Sequence, residues 1–344
     1  MQLLRRVIVA SAVTGFLAWS ARWLVPRLRA LRSVSADLRT PALLLPIAPA
    51  TDRRVRMVRT ALRRMPPPAG AGLVVRELFA EQADGPPVRV VTVERKNRAD
   101  RSAGLVWIHG GGTVIGVPEQ AGSLCARFVD ELDVVVACPD YRLAPEHPFP
   151  AALDDCYATL CWLDAHADEL GVDGHRIAIG GDSAGGLLAA SLAQLARDRG
   201  GPSISFQLLE YPMLDDRTVL RGPVGHDRSF VWSPEANRYG WTSYLGHPPT
   251  AGDERAYAAP ARTEDLSGLP PAWIGVGDLD LLRDEAAAYA ERLSGAGVPC
   301  ELHLVSGMYH GADSIRPQAM TARAFRDSMA SALVEHLSVT AASD

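Results

Sequence analysis

Residues Gly181-Asp182-Ser183-Ala184-Gly185 follow the run Arg176-Ile177-Ala178-Ile179-Gly180 and precede Leu187-Leu188-Ala189-Ala190-Ser191-Leu192-Ala193. The first flank reads as a buried strand and the second as a helix. G-x-S-x-G at a strand-to-helix junction is the setting of a nucleophile elbow, a strained turn that presents a serine hydroxyl above a sheet. Glycine is needed at both ends because a side chain at 181 or 185 would crowd so tight a turn. The five letters alone are a weak pattern, since Gly, Ser and Ala are common. The strand and helix around them give the pattern its weight.

Working outward, short β-rich runs lie at Leu73–Phe79, Val88–Glu94, Leu105–His109, Val134–Cys138, Arg176–Ile179, Ile204–Glu210, Ala272–Val276 and Glu301–Val305. Several are continuously apolar, as strands covered on both faces are. Helical patterns fall between the later ones, at Glu119–Glu131, Ala151–Glu169, Ser183–Arg199, Arg283–Ser294 and Pro317–Leu337. Strands alternating with helices predict an α/β fold whose eight-stranded, mostly parallel sheet is flanked by helices. The first two strands lack a helix between them and are expected to form an antiparallel hairpin at one edge. Pro66-Pro67-Pro68 separates an N-terminal helical segment, residues 1-64, from a main domain expected over 65-211 and 261-340. Residues 212-260 break the alternation and carry Phe230, Trp232, Tyr239, Trp241 and Tyr244. They read as an inserted cap over one end of the sheet, with most of the aromatic residues forming its own small core.

A chain of 344 residues can bury a sizeable core, and a net charge of −5 predicts no nucleic-acid partner. The charge is uneven. Residues 1–64 hold thirteen Arg and two acids, a balance of +11, which leaves −16 on the remainder. Val7–Ala21 is apolar but short for a membrane span, and Trp19 and Trp23 among arginines suit a helix that docks on the body or lies on a membrane surface. A cleaved signal and a true anchor are the alternatives. Cys125, Cys138, Cys156, Cys161 and Cys300 are odd in number, lack a C-x-x-C and sit in apolar surroundings. They read as buried thiols of a reducing, cytoplasmic compartment, with no metal site implied.

A serine hydroxyl needs a base, and the base needs an orienting acid, in the chain order Ser, Asp or Glu, His for such an elbow. Of the histidines beyond Ser183, His303 lies within a strand, His226 and His247 in the insertion and His336 in the last helix. His310 follows the final strand in Ser306-Gly307-Met308-Tyr309-His310-Gly311 and is the expected base. Asp280 follows the preceding strand and is the expected acid, with Asp278 its rival. Asp284 and Glu285 open the next helix, where acids commonly complement the dipole. His109-Gly110-Gly111-Gly112 follows the third strand, where backbone donors for an oxyanion are expected. Gly110, Gly111 and Gly112 are the candidates from this loop, with Gly111 and Gly112 the principal donors, and Ala184 adds the amide after the nucleophile. His109 is expected to order the loop. No phosphate-binding glycine motif competes with this reading.

Five segments taken together resemble the hormone-sensitive-lipase family of α/β-hydrolases, in its bacterial carboxylesterase branch. They are His109–Gly112, the run from Asp140-Tyr141-Arg142 through Glu146-His147-Pro148 to Ala152, Gly181–Gly185, Asp280–Glu285 and His310-Gly311. The resemblance implies an α/β-hydrolase fold, a carboxylic ester substrate and no cofactor. It also implies a cap built from the N-terminal helices together with the segment before the last strands. Asp182 places the elbow in the GDSAG subgroup. Thr113 and Ala312 depart from the family, which commonly has aromatic residues there. In the Asp140–Ala152 segment, Arg142 and Glu146 are expected to pair with each other or with acids such as Asp154 and Asp155.

The expectation is a serine carboxylesterase with Ser183, His310 and Asp280 as triad, acting on short- to medium-chain esters. The alternatives are a lactone hydrolase, a lipid esterase held at a membrane through the first helix, and a non-catalytic small-ligand binder on the same fold. The sequence leaves peripheral membrane contact and a homodimer open.

Overall fold

The computed structural model describes residues 24–45, 50–68, 70–83, 85–222 and 230–338. Val7–Ala21 and His226 lie outside them. The eight strands are β1 (Leu73–Ala80), β2 (Val88–Arg95), β3 (Ser102–Ile108), β4 (Val135–Pro139), β5 (Val172–Asp182), β6 (Phe206–Glu210), β7 (Ala272–Gly277) and β8 (Cys300–Val305). They form one sheet in the order β1-β2-β4-β3-β5-β6-β7-β8. β2 runs antiparallel to β1 and β4, and the pairings from β4 to β8 are parallel. The edge hairpin expected from the missing helix is therefore present.

Besides the helical residues 24–30, the helices among the described residues are α1 (Asp52–Leu62), α2 (Gly122–Leu132), α3 (Ala151–Ala165), α4 (Ala184–Arg199), α5 (Pro234–Leu245), α6 (Arg283–Gly295), α7 (Ala312–Ile315) and α8 (Met320–Leu337). Alternate residues of β3 show which helices cover which face. Trp107 meets Phe128 of α2 edge-on at 5.6 Å, whereas a Cβ on Gly104 would touch Leu163 of α3. α2 packs with α8 and α3 with α4, so the sheet is sandwiched between the two pairs. β3 is buried along its whole length, as its unbroken apolar run requires. α4 is buried from Ala184 to Ala196, which its Ala, Gly and Leu content permits.

Three sequence boundaries move. The pattern expected from Glu119 opens as a 3-10 turn at Pro118–Ala121 before α2, the one expected to reach Glu169 stops at Ala165, and the one expected from Pro317 divides into α7 and α8. The thiols also need correction: Cys125, Cys138 and Cys156 are buried, but Cys161, beside Tyr157 on the outer side of α3, and Cys300, at the start of β8, are half-buried.

Residues 24–45 and 50–62 pack on the body. The Ser35 amide donates to the Gly307 carbonyl at 3.0 Å, and the Tyr309 hydroxyl to that of Leu38 at 3.2 Å. Asp37 accepts from the Thr321 amide at 2.8 Å. Among the described residues no helix is long and apolar enough to cross a membrane.

Candidate active site

Ser183 sits between β5 and α4 with φ 57° and ψ −111°, a conformation that costs a non-glycine residue about 1–3 kcal/mol. Main-chain bonds hold it there. Its amide donates to the Glu210 carbonyl at 2.8 Å, and its carbonyl accepts from Met213 at 3.0 Å and Leu187 at 3.1 Å. The flanking glycines are steric necessities. A Cβ on Gly185 would lie 1.9 Å from the Ile108 carbonyl oxygen, and one on Gly181 would lie 2.4 Å from the same atom.

His310 reaches Ser183 from the loop after β8. Its Nε2 stands 2.9 Å from Ser183 Oγ and its Nδ1 2.7 Å from Asp280 Oδ2. The other Asp280 oxygen accepts the Leu282 amide at 2.9 Å, and both residues are buried. Tyr211 packs edge-on against the imidazole at 4.8 Å. Asp278, the rival acid, turns away to accept from Ser306 Oγ at 3.0 Å and the Gly307 amide at 2.7 Å, so it shapes the loop that carries His310. His303 stacks on Trp273 and His336 on Phe206, while His247 lies exposed beside Arg255.

The glycine loop requires one correction. The Gly110 amide donates to Asp182 Oδ1 at 2.9 Å and is not free to face an oxyanion. A Cβ there would also collide with that carboxylate, at 2.2 Å from Oδ2. Asp182 therefore pins the loop to the elbow. Enclosure of its carboxyl pushes it up to about 6, although the Gly110 hydrogen bond opposes the shift. The amides of Gly111 and Gly112 have no acceptor among the described residues. Both glycines have positive φ, 120° and 62°, as this curled loop demands. Ala184 opens α4, where helix geometry leaves amides without intrahelical partners.

His109 is buried against Tyr141, ring on ring at 4.2 Å, with Nδ1 2.9 Å from the Gly110 carbonyl. Burial pushes its imidazole down to about 4, so it is neutral at ordinary pH and orders the loop.

A cavity of about 400 Å³ opens at Ser183, within the range of small-molecule sites. Val58 of α1 and Val231 and Trp232 of the insertion contribute to its wall. Trp232 lies 6.0 Å from the His310 ring and rests on Gly112, where a Cβ would meet it at 2.4 Å. Phe230, Trp241 and Tyr244 are buried, but in the main core and not in a separate one: Phe230 meets Tyr309 edge-on at 6.1 Å and Tyr244 meets Phe149 at 5.7 Å.

Sequence reasoning missed the residues that tie the roof down. Arg59 of α1 donates to the Val114 carbonyl at 2.7 Å and the Ala144 carbonyl at 2.6 Å, and pairs with Glu146 at 2.8 Å. Glu146 therefore pairs with α1, while Arg142 pairs with buried Asp155 at 2.7 Å. Buried Glu285 accepts the Leu214 amide at 2.6 Å and the Asp215 amide at 3.3 Å, and contacts the Thr218 hydroxyl. Burial pushes its carboxyl up to about 8. Its place in a first helical turn resembled ordinary dipole pairing. The signal that was present is its position in the segment that also supplies Asp280.

A family model of the alpha/beta hydrolase fold matches residues 105–314. The chain belongs to the α/β-hydrolase family. This α/β-hydrolase is 37% identical over 274 residues to esterase LipI of Mycobacterium tuberculosis, covering 78% of this chain and 84% of that protein. It is 42% identical over 219 residues to carboxylesterase NlhH of the same species, covering 60% and 65%. Among solved structures, a bacterial heroin esterase superimposes with a TM-score of 0.83 at 37% identity, covering 89% of this chain and 99% of that one. Esterase LipW from Mycobacterium marinum gives 0.79 at 31% identity, covering 89% and 97%. These matches agree with the hormone-sensitive-lipase branch of the α/β-hydrolases, which the motifs indicated.

Proposed function

We propose that this α/β-hydrolase cleaves carboxylic esters through an acyl-enzyme on Ser183. Its family and its relatives make it a carboxylic ester hydrolase of the serine type. In the mechanism we propose, Ser183 Oγ attacks the ester carbonyl while His310 Nε2 takes its proton. Asp280 keeps the imidazole in the tautomer that bares Nε2 and stabilises the imidazolium once formed. The amides of Gly111, Gly112 and Ala184 receive the developing oxyanion. His310 then protonates the leaving alcohol, and water attacks the acyl-enzyme by the same route. Asp182 and Gly110 support this machinery and do not touch the reacting atoms.

The observation that carries the reading is the pair of short contacts made by one imidazole, 2.9 Å to Ser183 Oγ and 2.7 Å to Asp280 Oδ2, beside a half-open cavity of about 400 Å³. A cavity of about 400 Å³ supports short- to medium-chain acyl groups. Free thiols among the described residues support a cytoplasmic setting. Contact with a membrane surface would run through Val7–Ala21, and fractionation of cells with and without residues 1–32 tests it.

The decisive experiment is a panel of chromogenic esters of increasing acyl length, with lactones included, run on the wild type and Ser183→Ala. The variant is expected to lose at least about 10⁴-fold in kcat. Equal rates in the two proteins would sink the mechanism.

A further inference from the structure

Two residues that line the cavity each carry a buried polar atom with no hydrogen-bond partner among the described residues, Trp107 Nε1 and Glu210 Oε1. Both side chains are about as buried as any in the core, each 1% exposed. The sheet register brings them to one face. Trp107 pairs with Gly180 and Glu210 with Asp182 on the intervening strand β5, and alternate residues share a face. Gly180 makes room for the indole, since a Cβ there would stand 3.1 Å from the ring. Of the nine such atoms among the described residues, these two alone belong to residues that line this cavity, and an unpaired buried polar group is costly enough that the pair points to a ligand that completes them.

Three charged neighbours of these two atoms are already engaged. Asp313 accepts the Tyr211 hydroxyl at 3.0 Å and Arg326 at 3.0 Å through Nη2 and 3.1 Å through Nε. Arg326, which also lines the cavity, is thereby neutralised. Asp182 is engaged by the Gly110 amide. Burial, followed by the nearby Asp313 and Asp182 carboxylates, raises the Glu210 carboxyl well above its usual range. Its Oε1 is the oxygen left without a partner and is open to a donor. Apart from the groups around Ser183, the amides of Gly111 and Gly112 and the exposed Ser123 and Ser314, the cavity wall offers one donor, one acceptor and no uncompensated positive charge.

We infer that this pocket selects esters bearing a hydroxyl at the far end of the arm that enters it, the hydroxyl accepting from Trp107 Nε1 and donating to Glu210 Oε1. The inference rests on the esterase reading and names a substrate class for the same site. An alkyl end leaves both protein atoms unpaired, which is the situation in which a polar pocket discriminates most strongly. A carboxylate end finds the one nearby cation occupied and three acidic residues around it.

The test compares isosteric pairs on the full chain. Ethyl alkanoates from pentanoate to octanoate are set against the ethyl ω-hydroxyalkanoates in which hydroxyl replaces the terminal methyl. Propyl butanoate is set against ethylene glycol monobutanoate to probe the alcohol arm. We expect kcat/KM about tenfold or more higher for the hydroxylated member in one series, which identifies the arm. Glu210→Met and Trp107→Phe should each bring that ratio towards one, while Glu210→Gln, which keeps an acceptor, retains it. Trp107→Phe keeps the test decisive where Glu210→Met does not fold. Equal kcat/KM within every pair overturns the inference and leaves the esterase reading standing. So does a preference that survives intact in folded Trp107→Phe. Failure to hydrolyse any ester overturns the esterase reading, and this inference with it.

Discussion

At the carboxyl end of the sheet, Ser183, His310 and Asp280 are held largely by the main chain: the Glu210 carbonyl fixes the Ser183 amide and the Leu282 amide fixes Asp280. The roof above them is held by long side chains. Arg59 ties α1 to the glycine loop, and Arg262, just beyond the insertion, ties buried Asp216 within it at 2.7 Å. Arg27 reaches the Leu43 carbonyl at 3.0 Å and lies over Phe230. Buried main-chain bonds hardly respond to salt, whereas partly exposed ion pairs weaken as ionic strength rises. The floor is therefore built for fixed geometry and the roof for adjustable access.

The sharpest way to break this contrast is at the floor. Asp280→Asn preserves the shape of the site but frees the imidazole tautomer, and kcat should fall about 10³- to 10⁴-fold with KM little changed. A loss confined to KM would place Asp280 on the side of access. Next comes Gly185→Ala, whose Cβ would stand 1.9 Å from the Ile108 carbonyl oxygen. A backbone that cannot yield should lose more than about 3 kcal/mol in denaturant unfolding. Unchanged stability would show that the elbow can relax.

Glu285 joins floor to roof. Its folded carboxyl titrates at about 8, and an unfolded glutamate near the ordinary 4.5. Between those values the native state holds a proton that the unfolded state has lost, so stability falls as pH rises, by up to about 1.4 kcal/mol per pH unit. The contribution is complete below pH 4.5 and gone above about 8. Glu285→Gln should flatten this limb of the stability curve, and a variant with the wild-type slope would assign the slope to another group. The smallest effect is expected at the roof. Arg59→Ala should raise KM by about three- to tenfold and leave kcat nearly constant. Its partner Glu146 is 58% exposed, so the pair itself contributes under about 1 kcal/mol. If kcat fell instead, the glycine loop would depend on α1 for its shape.

The same division separates what could be read from the sequence and what could not. All eight strands were legible because apolar runs and strand periodicity are local properties. The positions of Ser183, Asp280 and His310 were legible because each follows a strand at the same end of a parallel sheet. Arg59 was one of thirteen arginines in its segment, and nothing local distinguishes the one that meets Val114 and Ala144. The Gly110 amide was read as a free donor because its engagement depends on Asp182, 72 residues away. Glu285 resembled any acid in a first helical turn until the fold buried it against Leu214.

The strap formed by residues 35–38 also bears on how the protein is made. Leu38 is bonded to Tyr309, 271 positions later in the chain, and Asp37 to Thr321, 284 positions later. Such distant pairings must wait until Tyr309 and Thr321 have been synthesised, long after the strap itself. The loop they secure is the one that carries His310. A nascent chain can therefore complete its central strands while the His310 loop is still without its anchor, so the strap closes on that loop only after the central sheet has been made.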